Sequence, residues 1–497
     1  MLAPGQPRAV VPPRRLPPPA VLFETLPFAL FFLAVLPVAW ALRGQPTARK
    51  VWLLAASYAF YGGASPRLLL LLFGASLTEW LCGEGVARAR TERGRRLWLY
   101  ASIAKNLGLL GVFKYYGFFR DNVEAIANTI GFQSGLPVLE ILLPVGLSYI
   151  TFQCIAYTVD LYRGHGVRAA SLLDFLLFMA FFPQLLIGPI CRSRDLLPQL
   201  EAPAPKGIPD LSMAVSLVLS GLFKKVVIAT WLDTHLVQDA FLGPEDFSRP
   251  ELLIATYAYT VLIYCDFSGY TDIARGIGLL LGFHLPDNFN RPYRSTNLAA
   301  FWRRWHMTFS NWLRDYIFLP LGGSRVGTLA TWRNLMIVML VTGIWHGAAW
   351  TFVIWGAAHG VVLVLYKFVQ DRRRAQGLDP KRMTFPWWHH LGAWMLTFHF
   401  IAFARIAFRS PDVEVAGVYA SRLVFGGGGG QGLEWPVWPV LALGMSLHFV
   451  GHHLRDAFVA WHDRLPSLAR PVAWTVLAAT ILVLQPADVS PYLYFSF

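Results

Sequence analysis

Charge is what this sequence has least of. Only 14% of its 497 residues are Asp, Glu, Lys or Arg, against about 25% in a soluble chain of ordinary composition. So few polar groups do not cover a water-facing surface, which excludes an ordinary soluble fold. Acidic residues are the scarcer sign, 29 against 43 basic ones. Cysteine is scarcer still. Cys82, Cys154, Cys191 and Cys265 stand singly in or beside apolar segments, so neither a disulfide framework nor a paired-cysteine metal site is available. They read as small core hydrophobes. No hydrophilic block is long enough to form a separate soluble domain, and there is no internal repeat.

Apolar runs fill the space. They recur at Leu26–Leu42, Val51–Tyr61, Leu68–Leu81, Leu97–Phe113, Leu139–Tyr157 and Leu172–Ile190, and continue through Val472–Leu484. Many fall short of the roughly 20 residues that cross a bilayer perpendicularly, so several must tilt, recruit flanking polar residues or enter without crossing. The expected fold class is all-α: a polytopic integral membrane protein with roughly 11–13 membrane segments plus broken or re-entrant helices. Residues 1–20, Pro-rich and basic, read as a disordered arm. No small-residue cleavage site follows the first apolar run, so they do not read as a signal peptide. Residues 21–497 read as a single membrane domain, interrupted at about 409–435 by an extramembrane loop with five glycines at Gly426–Gly430.

The formal charge of +14 would suggest nucleic acid in a soluble protein. Among apolar spans it marks cytoplasmic loops beside membrane lipid instead; no nucleic acid partner is expected. The densest basic runs, Ala87–Arg96 and Gln370–Arg382, are assigned to the cytoplasm, and Arg43–Lys50 joins them if Val51–Leu81 forms a hairpin of two spans.

Residues 260–360 differ from the rest, placing Asp, Asn, Arg, His and Trp between apolar runs. Polar groups at membrane depth are costly, so function or mutual pairing must explain Asp266, Asp272 and Asn288. The run "YCDFSGYTDIARG" suggests a Gly-rich break with a cavity beside it. The run "FWRRWHMTFSNWLRDYIFLPLGGSR", read as one helix, collects Trp302, Trp305, Phe309, Trp312 and Tyr316 on one face. Arg303, His306, Ser310 and Arg314 fall on another. That basic face suits either an anion such as phosphate or a membrane surface. In "LVTGIWHGAAWTF", Thr342, His346 and Trp350 stack at helical spacing, and Gly343 and Gly347 admit a close neighbour, backbone or substrate. Desolvation there favours a neutral, proton-accepting imidazole; a core histidine bonded to a carbonyl would look the same. His359, thirteen residues on, would face elsewhere on a straight helix, which argues against a metal site; none is expected.

These three runs, with "LLPVGLSYITFQCIAYTVDLYRG", "FFPQLLIGPICR", "NFNRPYRS" and the terminal "PYLYFSF", resemble the membrane-bound O-acyltransferase family, and within it the bacterial branch that acetylates alginate. The resemblance implies a central tunnel with His346 catalytic and His306 catalytic or tunnel-shaping. It also implies an acyl thioester donor, acetyl-CoA, and no tightly bound cofactor. Arg303, Arg304 and Arg314 are then candidates for the donor's phosphates. Trp305, Trp345 and Trp350 are candidates to exclude water, and Asp266 and Asn288 complete the substrate-binding set. The acceptor would be an exopolysaccharide, met directly or through a periplasmic SGNH-hydrolase-like acetyltransferase, at the bacterial inner (cytoplasmic) membrane. D-alanyl transfer to teichoic acid is the alternative within the family, and a transporter the alternative outside it.

Overall fold

In the structure, a computed structural model, residues 22–63, 66–132, 135–139, 144, 146–378, 385–426 and 429–486 are described. The Pro-rich arm and the terminal "PYLYFSF" lie outside these residues, as does part of the Gln370–Arg382 run. Among the described residues these helices matter most for the site: α1 Leu26–Ala41, α2 Pro46–Gly62, α3 Pro66–Arg88, α4 Glu92–Leu110, α5 Leu147–Arg163, α6 Leu172–Ala180, α7 Leu211–Leu222, α8 Arg249–Leu280, α9 Met307–Leu313, α10 Thr328–His346, α11 Trp350–Ala375, α12 Trp387–Arg409, α13 Val413–Phe425, α14 Val437–Arg464 and α15 Ala469–Val483. No strand occurs among the described residues. Among the described residues seven helices are long and apolar enough to cross a membrane, and the protein is an all-α, multi-pass membrane protein. The expected segments that fall outside the seven are short, interrupted or too polar, as in α14 with His448, His452 and His453.

α8 is the axis of the fold. Its most apolar stretch is 83% buried by protein, against 17% for the first helix, so α8 meets other helices where α1 meets lipid. Ser248 and Glu251 close its N-terminus as a capping box, with Pro250 in the first turn. The anticipated break at Asp266–Asp272 is not there: α8 runs unbroken through all of "YCDFSGYTDIARG". Its glycines serve packing instead. A Cβ on Gly269 would come within 2.8 Å of Gly221 O, and one on Gly276 within 2.7 Å of Ala214 O, so α7 and α8 touch through their backbones, as small-residue seams allow. The acids on this helix are paired. Asp266 meets Lys225 at 2.6 Å and Asp272 meets Lys224; these ion pairs pin α8 to the π-type turn Phe223–Ala229 that follows α7.

A second backbone seam joins α10 and α11. A Cβ on Gly343 would reach 2.2 Å from Phe352 O and one on Gly356 2.5 Å from Met339 O. The close neighbour that the glycines admit is therefore a helix. At Gly347 the ring of Phe352 occupies the space.

Candidate active site

The helix anticipated from Phe301 to Arg325 is broken in two. A short turn of helix, Leu298–Trp302, ends at Arg303, and α9 restarts at Met307. Between them His306 adopts a left-handed backbone with φ of 42°, a conformation that costs a non-glycine residue energy and needs support around it. The support is Asn288, 1% exposed. Its Oδ1 accepts from Thr308 N at 3.3 Å and Thr308 Oγ1 at 2.9 Å, and lies 3.1 Å from His306 Nδ1. The backbones also pair, Met307 N to Asn288 O and Asn290 N to Arg304 O, both at 2.9 Å. Since the Thr308 amide is a donor, the atom it meets on Asn288 is the carbonyl oxygen, and His306 Nδ1 must donate to it. A neutral His306 then carries its lone pair on Nε2, which has no hydrogen-bond partner among the described residues. Asn288 is thus the residue that sets the tautomer of His306.

The other family-like runs arrive at the same place. Thr308 Oγ1 accepts from Ile190 N at 3.1 Å, bringing in "LIGPICR". Trp312 Nε1 donates to Phe152 O at 2.9 Å while its ring stacks on Phe152 at 3.8 Å, bringing in "LSYITFQ". Phe309 and Trp345 bridge the two histidines. Phe309 is 4.9 Å from the His306 ring and 6.0 Å from that of His346; for Trp345 the distances are 6.2 and 4.9 Å.

His346 is the last residue of α10, which stops because Gly347 turns extended. Lys114, reaching from the π-type turn after α4, donates to Trp345 O at 2.5 Å and His346 O at 3.2 Å, and Tyr115 Oη donates to Ile344 O at 3.1 Å. A cation at carbonyls that no helical turn can satisfy is the stabilising arrangement. The ring of His346, 6% exposed, stands edge-on to Trp355 at 5.3 Å and Phe408 at 5.0 Å. It faces a narrow cavity of about 20 Å³ that it shares with Trp305, Trp355, His359 and Arg405. That volume exceeds what one water needs by little.

The sequence-derived candidates divide. His346 and Trp305 line this cavity; Trp345 packs between His346 and His306, and Asn288 holds His306 from behind. Trp350 does not line it. With α10 ended at His346 it opens α11, is 54% exposed, and donates to Asn122 Oδ1 at 3.0 Å. Asp266 is held in its ion pair. Arg303 and Arg314 no longer share a helix face; both are exposed, and Arg304 is half-buried. Arg314 pairs with Asp315 at 2.6 Å, and that carboxylate also meets Arg192 at 2.6 Å, while Arg163 donates to Asp315 O at 2.8 Å. The carboxylate of Asp160 also lies near Arg192, so three guanidiniums face two carboxylates and leave a surplus of one positive charge there.

His359 is the residue that straight-helix reasoning misplaced. The extended link Gly347–Ala349 turns the chain back, and α11 carries His359 into the cavity of His346, its ring 4.5 Å from Trp355. Lys114, Trp355 and Arg405 were also missed. The glycine after His346 was the available signal for the helix end. Among the described residues no group of three or more His, Cys, Asp or Glu could hold a metal ion.

Comparison with known proteins places these elements in a family. The model of the membrane-bound O-acyltransferase family matches residues 145–408, the stretch that holds both histidines. A protein of Pseudomonas putida named "Probable alginate O-acetylase AlgI" is 34% identical over 96% of this chain and 100% of its own length. The peptidoglycan O-acetyltransferase of Helicobacter pylori is 34% identical over 80% of this chain and 78% of its own. The teichoic acid D-alanyltransferase of Bacillus subtilis is 29% identical over 53% and 68%. The chain belongs to the membrane-bound O-acyltransferase family, and it is an O-acyltransferase of the membrane.

Proposed function

We propose that this enzyme carries an acetyl group from a cytoplasmic thioester, acetyl-CoA, across the bacterial inner membrane to hydroxyls of an exopolysaccharide, directly or through a periplasmic SGNH-hydrolase-like acetyltransferase. The observation that carries the reading is the enclosed cavity at the end of α10, where the ring of His346 is kept from water by Trp305, Trp355 and Phe408. A thioester lasts there, and a neutral imidazole serves as general base for an incoming hydroxyl or, as nucleophile, carries the acetyl group itself. The small volume favours a short acyl group. The names of the relatives, acting on alginate and peptidoglycan, support a glycan acceptor.

D-alanyl transfer fits the cavity less well. A D-alanyl thioester carries an ammonium group, and the charged residue among the cavity's lining is Arg405, with no carboxylate beside it; like charges repel strongly where the dielectric is low. For phosphates of the donor, Arg163, Arg192 and Arg314 around Asp315 offer forked donors; Arg303 and Arg304 are the alternatives.

The test uses inverted membrane vesicles given acetyl-CoA labelled in its acetyl group, together with the acceptor polymer or acceptor protein inside. Label reaching the lumenal acceptor with the unaltered protein, and not with His346→Ala, is expected. Label that never leaves CoA overturns the donor or the acceptor. Transfer that survives His346→Ala in a well-folded protein returns the chain to the transporter reading.

A further inference from the structure

Arg405 lies on α12 with 5% of its surface exposed. Several other cations of the helical core answer to a carboxylate: Lys225 to Asp266, Lys224 to Asp272, Lys105 to Glu79, Arg192 to Asp315. Arg49 and Lys114 instead close on backbone carbonyls away from the wall of the His346 cavity, Arg49 on Ala39 O and Leu281 O and Lys114 on Trp345 O and His346 O. One turn beyond Arg405, Arg409 faces Asp233 at 3.9 Å. Arg405 has no carboxylate within ion-pair distance among the described residues. It donates to Tyr293 Oη at 2.5 Å and to Thr260 O at 3.3 Å, both from Nη1. Its guanidinium rests over the rings of Trp305 at 4.8 Å and Tyr293 at 5.1 Å. A guanidinium keeps its proton under all ordinary conditions, so this is a permanent positive charge in an apolar setting. It is held by π faces and two neutral acceptors, and neither Nε nor Nη2 makes a hydrogen bond among the described residues. Neutral partners offset only part of the cost of burying a charge.

The place of that charge is informative, for Arg405 lines the same narrow cavity as His346, with Trp305, Trp355 and His359 around them. In a space this small, the groups on its wall surround one small reacting group. We propose that Arg405 stabilises the oxyanion that forms on the thioester carbonyl. The proposal rests on the acyl-transfer reading. His346 takes the proton of the acceptor hydroxyl as its oxygen bonds to the carbonyl carbon, and the carbonyl electron pair moves onto oxygen beside the guanidinium. The pair then returns, the carbon–sulfur bond breaks, and the leaving thiolate takes the proton from the imidazolium. The products are an ester and a free thiol, with His346 neutral again. A fixed cation in a dry cavity acts most where negative charge develops and needs no reorganisation at that moment.

The experiment compares purified full-length protein, Arg405→Gln and Arg405→Lys in proteoliposomes, with acetyl-CoA as donor and size-exclusion profile and Tm as checks on folding. Loss of an oxyanion donor typically lowers kcat about 10²–10³-fold, and that loss is expected for Arg405→Gln, with KM for donor and acceptor within about threefold. Arg405→Lys keeps the charge but not the fork and should fall between. Methylguanidinium added to Arg405→Ala should restore part of kcat, which no structural role would do. A rise in KM at unchanged kcat overturns the proposal in favour of a ground-state contact with an anionic substrate group. If Arg405→Gln does not fold, Arg405→Lys decides: folded with full kcat it overturns the proposal, folded with kcat reduced at least about tenfold it supports it. Failure of the unaltered protein to transfer acetyl groups sinks the functional reading itself. Transfer by the unaltered protein with undiminished kcat in folded Arg405→Gln sinks only the role of Arg405.

Discussion

Trp355 separates two cavities of opposite character. On one side is the space of about 20 Å³ at His346, His359 and Arg405. On the other is an apolar groove of about 870 Å³ between α11, α12 and α13, lined by residues such as Ile354, Ala358, Phe403, Ala416 and Leu423. Size alone would put the chemistry in the larger one. Yet that groove holds no group able to take a proton or bear a developing charge beyond Arg249 at its edge, while the smaller space has two imidazoles and a guanidinium. In a membrane protein a large apolar groove on the outer face is what lipid covers, whereas ionisable groups at depth mark function. The comparison makes Trp355 a partition, and its predictions run from the small cavity outward.

His346→Ala is expected to have the largest effect. Removing a general base typically costs 10²–10⁴-fold in rate, and the residue ends α10 with its backbone held by Lys114, so the protein should still assemble. Near-normal turnover by the folded variant, measured with labelled acetyl-CoA, would remove the small cavity from the mechanism. His306→Ala should retain about a few per cent of the rate, because Phe309 and Trp345 stand between it and His346 and its part is positioning. Asn288→Ala, which frees the His306 tautomer, should give an intermediate loss. If it matches the unaltered enzyme, the tautomer is unimportant.

How much of this was legible beforehand depends on what each residue's role required. The membrane class followed from the shortage of charge, and His346 and His306 from the runs that resemble the family. The interruption at His306 was hidden because "FWRRWHMTFS" satisfies helical periodicity on both sides of it, and only a long-range partner, Asn288, makes a left-handed histidine tolerable. The same error in reverse placed a break at Gly269, where glycine serves contact with Gly221. His359 was dismissed by counting angles along a helix that ends at Gly347. Arg405 carries no local signal at all; its meaning comes from its place in the wall of the His346 cavity with no acid paired to it among the described residues.

Trp355→Leu tests the partition itself. Opening the wall should join the two spaces and raise the butyryl-to-acetyl preference about tenfold, the scale on which one or two methylenes are discriminated in an apolar pocket. An unchanged ratio would mean that something other than Trp355 limits acyl length. Arg163→Gln with Arg314→Gln should raise KM for acetyl-CoA several-fold and weaken its salt dependence, since exposed contacts to phosphate are screened. It should leave an acetyl-pantetheine thioester unaffected, because that donor lacks the nucleotide. Equal effects on both donors would make these arginines structural and return attention to Arg303 and Arg304.

Ala416→Trp should have the smallest effect. Ala416 lies on α13 in the wall of the large groove and is half-buried, so an indole there fills groove volume without touching the residues around His346. Substitutions at such lipid-facing sites usually change stability by no more than about 0.5 kcal/mol, and transfer from acetyl-CoA should stay within about twofold. The result bears on the whole comparison because the groove is the place where a long apolar chain would lie. If the groove only meets bulk lipid, filling it is silent for acetyl and glycan alike. A large loss of acetyl transfer, with the protein folded, would show that a substrate's apolar portion occupies the groove and that the two cavities work as one site across Trp355. A glycan acceptor carried on a lipid would be the first candidate, and the loss should then appear in the acceptor's KM while that of acetyl-CoA is unchanged.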